Sequence, residues 1–255
     1  GCRQLKKFEI PDTVTTLGPG AFASCESLEE VTIPRGLNHA ISTSHTSSEG
    51  AILSQFFECS ALTTVTIMVP TVNAIFTDWI DNDLLKTNAV TNIILSLGVT
   101  DVADLSFRNK SSLQSIEFPE SAKRIGNLAF QNCTELKEIN LAKGIASIAA
   151  NAFEGCDKLA AINVKEGNGL YSSKDGLLFN SSGETLIKCP EGKSAELTLP
   201  EGVKTIGANA FRRCKVLNSV TLPEGITVIG SHAFSECTGL KGITIPDSVT
   251  SIGNH

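Results

Sequence analysis

Aromatic residues are scarce in this chain, at 5%, with a single Trp and a single Tyr against twelve Phe. That scarcity excludes the clustered Trp or Tyr platforms that a sugar-stacking module would want. Basic runs are also missing: 21 Lys and Arg face 27 Asp and Glu, the net charge is −6, and no run of five or more positive residues occurs. Nucleic-acid binding and polybasic membrane docking therefore have no electrostatic footprint. No uninterrupted apolar run reaches a membrane span. The best stretch, Ala89 to Leu105, is broken by Thr91, Asn92, Ser96, Asp101 and Asp104.

Catalytic signatures are absent too. The chain contains no G-x-S-x-G, S-x-x-K, H-E-x-x-H, P-loop or G-x-G-x-x-G segment. Its four histidines, His39, His45, His232 and His255, form no cluster, and its eight cysteines include no C-x-x-C pair, so zinc spacing is missing. We assign no catalytic, cofactor or metal residues, and expect no enzyme activity.

What the sequence does have is a period. Phe107, Phe130 and Phe153 are spaced by 23, as are Phe211 and Phe234. Cys133 and Cys156, Cys214 and Cys237, and Cys2 and Cys25 keep the same spacing, and so do Pro200, Pro223 and Pro246. Shared periodicity of several residue types is the signature of a solenoid, whose coils bury a core only by stacking. Within a coil, Leu217-x-x-Val220-x-Leu222 alternates and reads as a short strand. Pro223-Glu-Gly225 turns the chain, since Pro ends pairing and Gly tolerates positive φ. Ser231-His-Ala-Phe-Ser-Glu-Cys237 spaces Ala233, Phe234 and Cys237 at helical offsets, which predicts one or two helical turns.

Three inserts interrupt the array. Eleven extra residues at about 40–50 are Ser/Thr-rich and read as a loop. Trp79 takes the Phe place of a degenerate coil, and Phe107 follows after five more residues than the period requires. Thirty-five extra residues fall at about 165–196, where Leu177-Leu-Phe179 and Thr185-Leu-Ile187 flank Asn180-Ser-Ser-Gly-Glu184 and predict a β-hairpin. The chain begins and ends inside a coil, so a fragment of a longer array is expected.

The unit L-x-x-[IV]-x-[IL]-P-[DE]-[GS]-[VI]-x-x-I-G-x-x-A-F-x-x-C resembles the BspA-like leucine-rich repeats of bacterial surfaces and some protozoan parasites. The likeness covers nearly the whole chain, including the insert Tyr171-Ser-Ser-Lys-Asp-Gly-Leu-Leu-Phe179. It departs from the general leucine-rich pattern at the Asn position, which holds Gly144, Gly202 and Gly225 or Ser121 and Ser248. The resemblance implies an α/β solenoid, a right-handed leucine-rich-repeat superhelix of about ten coils, each with one short parallel strand and one short helical turn. A right-handed parallel β-helix is the fold alternative. The resemblance also implies display on the cell surface or secretion, and adhesion through a host or microbial surface protein. A structural stalk, or a carbohydrate-binding module presenting other domains, is the functional alternative.

Two outward columns should line the concave sheet face. One, two residues before each Pro place, reads Glu9, Thr32, Thr66, Ile94, Glu117, Asn140, Asn163, Thr221 and Thr244. These side chains are small, polar and slightly acidic, without the Trp, Tyr and Arg that favour strong protein contacts. The inserts are therefore the other candidate: His39, Ile41 and His45 in the first, Tyr171, Leu177 and Phe179 in the second. The repeat cysteines follow a Phe by three residues and are expected to be buried free thiols, with Cys189 outside the pattern and the most accessible.

Overall fold

The structure, a computed structural model, describes residues 1–18, 20–37, 56, 58–68, 71–72 and 90–254. The loop insert at 40–50, with His39, Ile41 and His45, lies outside the described residues, as do Trp79 and His255. Nineteen strands, β1 to β19 in chain order, run through the rest.

A front ladder of seven parallel strands contains β1 (Lys7–Glu9), β2 (Glu30–Ile33), β3 (Thr64–Ile67), β5 (Asn92–Leu95), β7 (Ser115–Glu117), β9 (Glu138–Leu141) and β11 (Ala161–Val164). A second ladder stacks two-residue strands: β4 (Thr71–Val72), β6 (Asp101–Val102), β8 (Arg124–Ile125) and β10 (Ser147–Ile148). Beyond the insert, β15 (Glu196–Thr198) pairs with β17 (Ser219–Thr221) on the front. There, β16 (Thr205–Ile206), β18 (Val228–Ile229) and β19 (Ser251–Ile252) continue a second ladder. The expectation of one strand per coil was thus too few. The second strand comes from Ile125 and its equivalents, whose inward side chains fix a short parallel pairing.

The helical turn is not there: no helix occurs among the described residues. The Ala-Phe-x-x-Cys segment is a chain of i to i+3 turns instead. Gln131 N–H donates to Leu128 O (3.1 Å) and Cys133 N–H to Phe130 O (3.1 Å). The intervening amides leave the coil, Phe130 N–H reaching Ala152 O (2.8 Å) and Asn132 N–H reaching Glu154 O (2.8 Å) in the next. Two residues per turn region take left-handed backbone, Leu128 (φ 54°) and Asn132 (φ 61°) here, Asn209 (φ 59°) and Arg213 (φ 67°) later. Left-handed residues break helix propagation, and the freed amides bond between coils, so the third side of the solenoid is laddered as well.

Side chains from all three sides fill one interior. Phe56, Phe107, Phe130 and Phe211 are wholly buried. The rings stack along the axis, Phe107 on Phe130 at 5.2 Å, Phe130 on Phe153 at 5.6 Å and Phe211 on Phe234 at 4.8 Å between centroids. The repeat thiols are free, and Cys25, Cys59, Cys133, Cys156 and Cys214 are buried. Each of several thiols caps the Phe carbonyl one coil earlier: Cys133 Sγ donates to Phe107 O and Cys156 Sγ to Phe130 O, both at 3.1 Å. Cys189 is not accessible, as the sequence had suggested, but fully buried. Its N–H donates to Ala210 O (2.7 Å), the bond a Phe makes elsewhere, so it occupies the Phe place of the insert coil.

The insert is a three-stranded meander. Strand β12 (Tyr171–Lys174) runs antiparallel to β13 (Leu177–Asn180), and β13 antiparallel to β14 (Thr185–Lys188). The expected hairpin is β13–β14; β12 was not foreseen, because Tyr-Ser-Ser-Lys lacks an apolar run. Strand β14 then pairs in parallel with β16 and rejoins the second ladder. The core divides at β13: Leu178 packs with the coils before it, Leu177 and Phe179 with those after.

Candidate functional site

The front-ladder register aligns Glu9, Thr32, Thr66, Ile94, Glu117, Asn140 and Asn163 in one row. Alternation sends their neighbours inward, Val31, Val65, Ile93, Ile116, Ile139 and Ile162 all being buried. A groove of about 460 Å³ lies across β7, β9 and β11, lined by Glu117, Phe118, Glu120, Asn140, Asn163 and Lys165 among others. Asn163 Nδ2 donates to Asn140 Oδ1 (2.9 Å), and Asn140 Nδ2 to Glu138 Oε1 (3.2 Å). Lys165 crosses two coils to pair with Glu120, and its hydrogen bond holds that carboxyl below the usual carboxylate range. Phe118 is half-buried with its edge against Phe130. The groove thus offers amides, carboxylates and part of an aromatic ring, the components of a recognition surface.

Thr221 and Thr244 are exposed but lie past the insert, away from these three residues, Thr221 on the separate β15–β17 pair. Tyr171 is half-buried, its hydroxyl accepting from Ile148 N–H (3.3 Å). Leu177 and Phe179, expected at a contact surface, are 1% and 2% exposed. They cover the solenoid's own interior, because β13 has coils on both sides.

A second feature was not foreseen. Eleven residues separate Leu186 from Leu197, against 14 between their partners Ile206 and Val220. The insert coil is therefore three residues short at its turn, and a cleft of about 270 Å³ opens there. Two charged side chains replace the missing peptide group. Glu191 accepts Gly155 N–H on both oxygens (3.2 and 3.1 Å), where other coils present a carbonyl. Lys188 Nζ donates to Arg212 O (3.1 Å), where other coils present an amide. Arg213 pairs with Glu191 and Glu236, both at 3.4 Å, and Arg212 with Glu154 (3.3 Å) and Glu236 (2.9 Å). Burial pushes the Glu191 carboxyl above its ordinary range, although Lys188, Gly155 N–H and Arg213 pull it back. The only sequence signal was the shortened spacing after Leu186.

Among the described residues no group of three His, Cys, Asp or Glu could hold a metal ion. Nor does any helix long and apolar enough to cross a membrane occur among them. Parallel strands stacked every 23 residues over a Phe-centred interior define a leucine-rich-repeat solenoid of β type. The chain belongs to the BspA-type leucine-rich-repeat family, whose repeat region matches residues 1–86, 78–192 and 188–255.

Solved structures agree. A leucine-rich repeat protein from Eubacterium ventriosum is 25% identical, with a TM-score of 0.61 over 97% of this chain and 62% of its own. A leucine-rich cell surface protein from Faecalibacterium prausnitzii is 26% identical, with a TM-score of 0.58 over 96% and 62%. The pneumococcal vaccine antigen PcpA, at 18% identity, shares the fold, with a TM-score of 0.57 over 97% and 68%. The chain thus spans 62% of the first two proteins' length. No curated protein matches it in sequence.

Proposed function

We propose that this chain is a non-enzymatic adhesion or protein-recognition module, displayed on the cell surface or secreted, whose partner is a host or microbial surface protein. The observation that carries this reading is the groove across β7, β9 and β11, where Glu117, Asn140 and Asn163 stand in one row beside the Lys165–Glu120 pair. Stacked coils give a long, nearly rigid face, and binding on such a face draws on several coils at once. Membership in a family of repeat scaffolds, and likeness to a cell surface protein, support the same reading.

The test is a screen of extracellular proteins for binding, repeated with Asn140→Arg and Glu117→Arg together. Both side chains are exposed, so the fold should survive. We expect at least about tenfold weaker binding, since two misplaced charges desolvate poorly at an interface. Unchanged binding would move the contact elsewhere on the molecule. No binding by the parent protein would remove the adhesion reading.

A further inference from the structure

The cleft at the shortened coil has no part in the groove on the front face, and its chemistry differs. We propose that it is a binding site for a single neutral sugar ring, the end of a glycan with adjacent hydroxyls. The charged lining groups are already engaged. Lys188, Glu191, Arg212 and Arg213 are committed to one another, to backbone or to Glu154 and Glu236. Three carboxamides, Asn127, Asn151 and Asn209, line the same cleft, and none of their side chains makes a hydrogen bond within the described residues. Asn132, on the same turn side, is by contrast engaged, its Nδ2 donating to Asn109 Oδ1 at 2.8 Å.

A carboxamide presents two donors and an acceptor on one plane. A hydroxyl is also donor and acceptor, so adjacent hydroxyls satisfy it fully. An anion satisfies only the donors, and a cation only the acceptor. With Glu236, three carboxylates offset the three cations Lys188, Arg212 and Arg213, so the cluster as a whole carries no net charge that would draw an ion in. Asn151 and Asn209 belong to the coils on either side of the shortened one, about 10 Å apart at two strand spacings. That gap and the cleft volume of about 270 Å³ suit one ring. With no aromatic wall, affinity should be in the millimolar range, and strength would come from many copies on a surface.

Saturation-transfer NMR with methyl glycosides of neutral hexoses and N-acetylhexosamines, and with methyl uronates as the charged comparison, tests this on the intact chain. Transfer from a neutral glycoside is expected, and its loss in Asn151→Ala. Asn151→Asp keeps the shape but removes the donors; it should also weaken transfer, and it guards against misreading a folding defect. Asn140→Arg on the front face should leave transfer unchanged, which separates this site from the protein-recognition groove. Transfer from uronates alone would overturn the neutral assignment. No transfer at about 10 mM, or transfer that survives both Asn151 variants, would overturn the site.

Discussion

At the scale of single residues, the Phe place and the thiol that follows it hold adjacent coils together. Phe211 is fully buried with Phe234 stacked on it at 4.8 Å. Phe211→Ala should cost about 3–5 kcal/mol, read from denaturant unfolding, because the stacked rings cannot collapse into the space. Burial pushes the Cys59 thiol up to about 11. A protonated, buried thiol is a poor nucleophile. Native-state alkylation near pH 8 should label exposed Cys2 first and half-buried Cys237 next, with Cys189 as slow as Cys133 and Cys156. Rapid modification of Cys189 would show that it does not occupy a Phe place. Charges, by contrast, contribute little. Lys7–Glu30, Arg124–Asp101 and Lys158–Glu135 each join residues 23 apart, but solvent screens such exposed pairs and little stability comes from them.

At the scale of elements, the turn side decides the architecture. Phe at i and Cys at i+3 fit a helix and an i+3 turn equally, so the spacing alone could not separate them. The discriminating signal was Asn at some of these places: Asn132 before Cys133, Asn209 before Ala210, and Asn109 before Lys110 in a Cys place, since Asn accepts left-handed backbone more readily than most residues. Far-UV circular dichroism should accordingly show β structure without the helical double minimum. Glycine after the second-ladder Ile is equally constrained, since a Cβ on Gly230 would lie 2.5 Å from Ala208 N in the coil before. Gly230→Ala should destabilise by about 1–3 kcal/mol, seen as a lowered unfolding midpoint.

The shortened coil predicts a pH effect. Its buried Glu191 has a folded-state pKa above the ordinary 4.5, so stability from this group is full below that value and falls as pH rises through the folded pKa. Glu191→Gln keeps an acceptor for Gly155 N–H and should remove that fall. An unchanged pH profile in the variant would mean that Glu191 is not desolvated as described.

At the scale of the whole molecule, most of the architecture could be read from residue spacing. The front column from Glu9 to Asn163, deduced from the Pro period, is the pairing register observed. Register was legible because one face is buried, and a one-residue slip would turn every Val and Ile outward. The cleft was not legible, since it arises from three residues that are missing, not from any motif present. Nor was the fate of Leu177 and Phe179, whose apolar character suits a contact surface and a buried strand alike. Only the stacking of coils on both sides of β13 decides between them.

The central claim is that stability is passed from coil to neighbouring coil, and hydrogen exchange on Phe211→Ala tests it most directly. In a stacked array, the loss of one core ring should fall on adjacent coils. Protection should drop in β14, β16, β17 and β18 and stay at the parent level from β1 to β9. A uniform loss along the chain, or no loss around Phe211, would contradict the account.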